Sequence, residues 1–193
     1  MTRAQAEAVR GRCRVIAVNN QGIDTECDGV MVPALAPWAD ILYAADVKWW
    51  RHYHERALRF AGRKVTIRKT LPWPEVYSLE QSTEHASLDP RPTHLVHGGN
   101  SGYQAIHLAV HLGASRILLL GFDMKNGRCG RRHWFGDHGG KLNSRGSYAT
   151  WLSAFDKLSR SLAHRKVEVV NCTPDTALRS FKRAPLEVAL HGT

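Results

Sequence analysis

Two histidines and an acid, His133, Asp137 and His138, stand close together in the segment NGRCGRRHWFGDHGGKLN (126–143), with Arg131, Arg132 and Lys141 around them. Histidine titrates near neutral pH and can take the proton from an attacking hydroxyl. Guanidinium and ammonium groups beside it can offset the charge of a leaving phosphate. His138 and His133 are therefore candidate acid–base groups, with Asp137 as their acidic neighbour. The same three side chains could instead ligate a metal. The bland alternative is a basic surface loop anchored by Trp134 of the pair Trp134–Phe135. A loop of this length inside a compact domain is usually functional or disordered, and two central aromatics argue for order.

A second group of candidates lies where apolar runs end. CRVIAVNN (13–20) closes on Asn19 and Asn20, and ADILYAAD (39–46) closes on Asp46. HLVHGG (94–99) leads through Gly99 into Asn100, Ser101 and Gly102, and the run 116–122 drops Asp123 at its end. In open α/β sheets, ligands bind beyond the carboxyl ends of the strands, so parallel strands would gather all of these at one edge. Each is also a good turn or cap residue. In GGNSGY, Asn100 or Ser101 can cap the helix that follows, and the glycines let backbone N–H groups approach an anion. This is neither GxGxxG nor a P-loop. Further along, Gln104, His107 and His111 share one helical face, read as solvated; as a metal pair the histidines lack a third ligand.

The elements that must carry these residues follow from periodicity. Runs apolar on both faces suit buried strands of a parallel sheet. Residues 47–62 read as a helix closed by Gly62, and RKVTIRKT (63–70) as a half-covered or edge strand. Residues 71–94 are the loosest part, with EVYSL (75–79) as a short strand. Then come helix 101–112, strand 116–122, a long loop 125–146, helix 147–164, strand 166–172 and a closing helix. In helix 147–164, Trp151, Phe155, Leu158 and Leu162 form an apolar stripe. The alternation predicts an α/β, Rossmann-like three-layer αβα domain with a mostly parallel sheet, spanning 1–193.

Composition bounds the rest. The 193 residues carry a formal charge of +10, which favours anionic partners such as nucleotides, phosphorylated substrates or nucleic acid. No apolar run approaches the roughly 20 residues needed to span a bilayer, so no membrane partner is expected. MTRAQAEAVRGR reads as a polar helix without the apolar core of a signal peptide. Cys13, Cys27, Cys129 and Cys172 have no zinc-like spacing. The expectation is reduced thiols in a cytosol.

VIAVNN, NSGYQAIHLAVHLGASRILLLGFDM, the His-bearing polar loop and VEVVNCTPDTAL together resemble one Rossmann-like glycosyltransferase clan. That clan holds bacterial CMP-sialic-acid sialyltransferases and flagellin-glycosylation accessory proteins. Its wider fold group includes the archaeal-type hydroxymethylpterin diphosphokinases. The resemblance is specific to short phage and prophage proteins through APWADILYAADVKWW, GGNSGYQAIHLAVHLGA and HWFGDH, and covers nearly the whole chain; to the sialyltransferases it is distant. It implies a nucleotide beside Asn19 or Asn20 and beside Asn100, Ser101 and Gly102, with His138 in the place of the base. His133–Trp134–Phe135 take the place of aromatic hydroxyls that hold the leaving phosphate, a departure from the sialyltransferase pattern. Relatives also open with a strand and a Gly-rich turn that would precede Met1. The expectation is a sheet lacking that strand, with the motif encoded just upstream in frame, or a domain completed by a partner chain.

Three functions are compatible with these residues. The first is a nucleotide-dependent transferase, glycosyltransferase-like, with a nucleotide sugar as donor substrate, no required cofactor, and nucleic acid, protein or glycan as acceptor. In it, Arg131, Arg132 and Lys141 offset leaving-group charge and His138 deprotonates the acceptor. The second is a non-catalytic nucleic-acid-binding or accessory protein, with Trp73, Trp134 and Trp49–Trp50 stacking on bases. The third is a diphosphokinase-like enzyme using ATP and Mg²⁺ through Asp123 and Asp137. An oligomer is compatible with each.

Overall fold

A computed structural model of the chain describes residues 1–27, 29–67, 71–83, 87–127 and 147–191. It is a mixed α/β structure whose sheets are mostly parallel. Helix α1 (Arg3–Val9) opens on a capping box, Thr2 with Gln5. Strand β1 (Ile16–Val18) ends in a 3₁₀ turn, Asn19–Gln21. β2 (Thr25–Cys27) and β3 (Val30–Val32) form an antiparallel hairpin. β4 (Ile41–Tyr43) leads through the cap Asp46 into α2 (Val47–Leu58). β5 (Arg63–Thr66) and β6 (Val76–Ser78) follow, then β7 (Glu80–Gln81) and β8 (His94–Leu95), which pair with each other.

The second half is α3 (Ser101–His111), β9 (Arg116–Leu119), α4 (Tyr148–His164), β10 (Glu168–Asn171), β11 (Lys182–Arg183) and α5 (Leu186–His191). The two larger parallel sheets are ordered β1-β4-β5-β6 and β11-β10-β9, and the β7–β8 pair is parallel as well. β5 is therefore not an edge strand as its alternation allowed. β6 covers its outer side, with Val65 opposite Tyr77.

Apolar side chains bind helices to these sheets. Trp49, Trp50, Tyr53 and Ala57 of α2 pack on Ala17 and Leu42. Phe155, Leu158 and Leu162 of α4 pack with Tyr103, Ile106 and Leu119, and Trp151 lies partly buried against them, as the stripe predicted. Ala105 and Leu108 of α3 meet Tyr43, Val65 and Leu95. Val9 of α1 meets Val170 of β10 and Leu186 and Ala189 of α5.

Gly62 does not close α2, which ends at Leu58. A Cβ on Gly62 would lie 2.4 Å from the carbonyl oxygen of Asp40 and 2.6 Å from that of Ala39. The glycine is needed because two backbone segments meet there, not because a helix stops. The face Gln104–His107–His111 is not solvated either, since Gln104 is 1% and His107 0% exposed. Backbone groups of Asp89, His94, Val96 and His97 meet it. His107 Nδ1 accepts from the Val96 N–H (3.1 Å), and its Nε2 donates to the Asp89 carbonyl (3.1 Å). With both ring nitrogens engaged, the histidine is a structural post rather than a metal ligand. Asp89 itself is sealed from water and held by Arg91 and Ser82, and the Arg91 guanidinium keeps its carboxyl far below the usual range.

Candidate functional site

The parallel strands end on one side, and a cavity of about 1660 Å³ opens there. Asn19, Asn20, Asp46, Gly99, Asn100, Ser101, Gly102 and Asp123 all line it. His133, Asp137, His138, Arg131, Arg132 and Lys141 lie outside the described residues.

The candidate residues at this edge differ in what they have left to offer. Asn20 is engaged at both ends: its Nδ2 donates to Thr25 (2.7 Å) and its Oδ1 accepts from Trp49 Nε1 (2.8 Å). It ties the strand end to α2. Asn19 is half-buried and sits at φ 53, the left-handed region that only a few non-glycine residues tolerate. The exposed Asp46 caps α2 by accepting from the Lys48 N–H (2.8 Å).

The turn 97–102 is built with more constraint. Gly98 and Gly99 have φ 54 and 73, and a Cβ on Gly98 would meet Tyr103 at 2.3 Å. Asn100 caps α3, accepting from the Gly102 N–H (2.8 Å) and the Tyr103 N–H (3.3 Å). The Gly99 N–H donates to His97 Nδ1 (3.2 Å), which fixes that ring as an acceptor at Nδ1. Two of the helix's first N–H groups are thus satisfied internally. This leaves the Ser101 N–H as the donor the cap does not engage, a narrower anion seat than the glycines alone implied. Buried Gln104 locks the turn to the sheet, donating to the His97 carbonyl (2.5 Å) and accepting from Tyr43 (2.8 Å).

The other wall follows β9. The Phe122 N–H donates to Thr173 Oγ1 (2.9 Å), Thr176 donates to the Phe122 carbonyl (2.6 Å), and the Ala177 N–H donates to the Asp123 carbonyl (2.8 Å). These contacts hold Met124 at φ 49, a second left-handed non-glycine beside the cavity. Strained backbone of this kind clusters at binding sites. The Asp123 carboxylate is exposed.

Sequence reasoning passed over His97, Gln21, Lys125 and Tyr148, all of which line the cavity. Lys125 is ion-paired with Asp175. The buried Gln21 Oε1 has no hydrogen-bond partner among the described residues. Tyr148, the first residue of α4, brings a hydroxyl to this edge, where it donates to Asn126 Oδ1 (3.1 Å). Topology could have found it, because a helix after a parallel strand starts at that strand's carboxyl end. Beside it, Trp151 stands edge-on at 5.4 Å and faces Gly99. Among the described residues, no cluster of His, Cys, Asp and Glu could hold a metal ion.

Gly102 makes a direct test of how tightly this corner is packed. A Cβ there would meet Phe122 Cε1 at 2.7 Å and Asn100 Oδ1 at 2.9 Å. Gly102→Ala is expected to lower the unfolding free energy by about 1–3 kcal/mol. The urea midpoint should fall at unchanged slope; an unchanged midpoint would mean Phe122 swings aside at no cost.

Compared with family models, with curated proteins and with solved structures, the chain finds no match. No helix among the described residues is long and apolar enough to cross a membrane. Cys13 and Cys172 are free thiols.

Proposed function

We propose that the chain is a nucleotide-dependent transferase, glycosyltransferase-like, built on a Rossmann-like three-layer αβα plan. The observation that carries this reading is the convergence of Asn19, Gly99–Gly102, Asp123 and Tyr148 on one cavity at the carboxyl ends of parallel strands. That is where such folds bind nucleotides. The Ser101 N–H and the α3 N-terminus receive a phosphate oxygen, and the Tyr148 hydroxyl turns from Asn126 to donate to another. Trp151 gives an apolar wall against which a base or sugar ring rests.

The nucleotide sugar is a substrate, and no cofactor is required. The acceptor hydroxyl oxygen attacks the anomeric carbon, the bond from that carbon to the phosphate oxygen breaks, and the nucleotide leaves with the electron pair. His138 takes the hydroxyl proton, with His133 and Asp137 beside it, while Arg131, Arg132 and Lys141 offset the charge on the departing phosphate. The charge of +10 favours a phosphate-rich acceptor, nucleic acid above glycan or protein, in a bacterial host cytoplasm where phage proteins act.

The base-stacking reading loses its best pair, because Trp49 and Trp50 are both buried in the core. Trp73 is stacked on His54 at 5.0 Å.

Thermal shift against nucleotides and nucleotide sugars, with and without Mg²⁺, tests the proposal. Saturable stabilisation by a pyrimidine nucleotide without metal is expected, about 2.7 kcal/mol at a hundredfold excess over Kd. Stabilisation only by ATP with Mg²⁺ would replace it with the diphosphokinase reading. His138→Ala is expected to abolish transfer while binding survives; equal turnover in that variant would remove His138 from the mechanism.

A further inference from the structure

The strands of the two larger sheets run in the same direction. Gln104, in the first turn of α3, is bonded to Tyr43 at the carboxyl end of β4, and Gly102 in that turn packs on Phe122 just past the carboxyl end of β9. The amino ends therefore share the opposite edge, about one length of α3 away, roughly 16 Å. Register fixes what stands there. Ile16, Ile41 and Arg63 lie level in one sheet, and Arg116 and Glu168 in the other. Arg12 and Arg14 lead into β1, and Arg165 and Lys166 lead into β10. The cavity reaches this edge too, where Arg12, Arg14, Arg63 and Arg116 line it and the small residues Gly62 and Gly113 leave it open.

The charge at this edge is one-sided. Asp40 and Glu168 are ion-paired with Arg14 and Arg116, at 2.8 Å each, and Glu75 precedes the outer strand β6. Arg12, Arg63, Arg165 and Lys166 are exposed and make no ion pair with a described residue. At the carboxyl edge, by contrast, Asp24, Asp46 and Asp123 offset Arg3 and Lys48, and Lys125 is paired with Asp175. The unbalanced positive charge of the described residues thus gathers away from the mouth proposed for the nucleotide. Helix carboxyl ends, which carry partial negative charge, account for a basic residue in a last turn such as Arg56 of α2. They do not account for Arg14, Arg63 or Arg116, which begin or lead into strands. Like charges collected this way repel one another, a cost that an anionic partner removes.

We infer that this amino edge binds nucleic acid through its phosphodiester backbone, without reading sequence. A site for one small anion encloses its donors, whereas the Arg14 side chain is 94% exposed. Arg14 and Arg63 are separated by β4, so they stand roughly 10 Å apart along the edge. Charges spread in steps across an open rim suit the repeating phosphates of a chain better than a single group. Guanidinium forks match phosphate oxygens in pairs, and the recess between Arg12 and Arg116 concentrates the field. The inference stands apart from the nucleotide reading, since it needs no ligand at the carboxyl edge.

Fluorescence anisotropy with a labelled DNA duplex and a labelled single strand tests it. At about 100 mM salt both should bind, with Kd on the order of 1–100 µM and little dependence on sequence. Each phosphate contact is worth about 8-fold at that salt, so Arg12→Glu with Arg63→Glu should weaken binding about 50-fold. The slope of log affinity against log salt should fall by about 2. Arg12→Gln with Arg63→Gln, a milder change, should lower the slope in the same direction and covers the case of a glutamate variant that does not fold. Lys48→Glu with Arg51→Glu, on the first turns of α2, makes the same change in net charge. It should cost less than about 5-fold, because charges at the far edge are screened over about 10 Å. A nucleotide that stabilises the chain should not displace the DNA. Absence of DNA binding, equal losses in the two glutamate pairs, or displacement by that nucleotide would overturn the inference. So would binding to vesicles of anionic phospholipid without binding to DNA, which would assign the edge to a membrane surface.

Discussion

Trp50→Ala is expected to lower the unfolding free energy by about 3–5 kcal/mol, enough to unfold much of a marginally stable domain. Trp50 is 0% exposed and packs among Leu42, Ala44 and Trp49, which meets it edge-on at 5.1 Å. Its indole Nε1 donates to the Ala44 carbonyl (2.9 Å), fastening α2 to the end of β4. Truncation leaves a cavity, and it also strands that carbonyl. Trp50→Phe, which keeps most of the volume, separates the two contributions and should cost about 1–2 kcal/mol less than the alanine. Urea denaturation followed by far-UV circular dichroism measures both. If either variant kept wild-type stability and lost affinity for single-stranded DNA, Trp50 would be a base-stacking residue and the core assignment wrong.

Stability should also fall as pH drops from 6.5 toward 4, by on the order of 3 kcal/mol, through His107. Burial pushes this imidazole down to about 4, against a smaller upward effect of its hydrogen bond to the Asp89 carbonyl and a further lowering by His111, whose ring lies 4.5 Å away. Above pH 6.5 the ring is neutral in both folded and unfolded chains, so the folded state keeps its full stability. Between 6.5 and 4 the unfolded chain binds the proton and the folded chain does not, and each unit removes about 1.4 kcal/mol. Below about 4 both are protonated and the contribution is gone. In His107→Gln, an amide that can accept from Val96 and donate to Asp89, the difference in pH dependence from wild type should show this slope missing. Parallel curves for the two proteins would mean the folded imidazole is not held neutral.

How much of this was readable in the chain depends on whether the deciding partners are local. The α4 stripe was legible because Phe155, Leu158 and Leu162 recur at helical spacing over a long element and all face one cluster. The strand-end candidates were legible because apolar runs that stop on Asn, Asp or Gly mark the edge of a parallel sheet. The α3 face was misread because its polar groups are satisfied from far along the chain. Gln104 is met by Tyr43, and His107 by Asp89 and Val96. No window of periodicity contains those partners. Gly62 looked like a helix stop, yet its reason is two carbonyls of the segment before β4. The β2–β3 hairpin had a local signal, the Asp28-Gly29 dipeptide between TEC and VMV, and should have been found.

The central claim is that a nucleotide binds where the parallel strands end. The most direct measurement is a titration of the ¹⁵N-labelled chain with the nucleotide that most raises its thermal midpoint, followed by amide chemical shifts. The account predicts saturable shifts at Asn19, Gly99, Ser101, Gly102 and Asp123, with the Trp151 indole N–H moving as well, and little change at Val30 or Met31 in the β2–β3 hairpin. Shifts confined to other surfaces, or no saturable shift with any nucleotide tested, would contradict it.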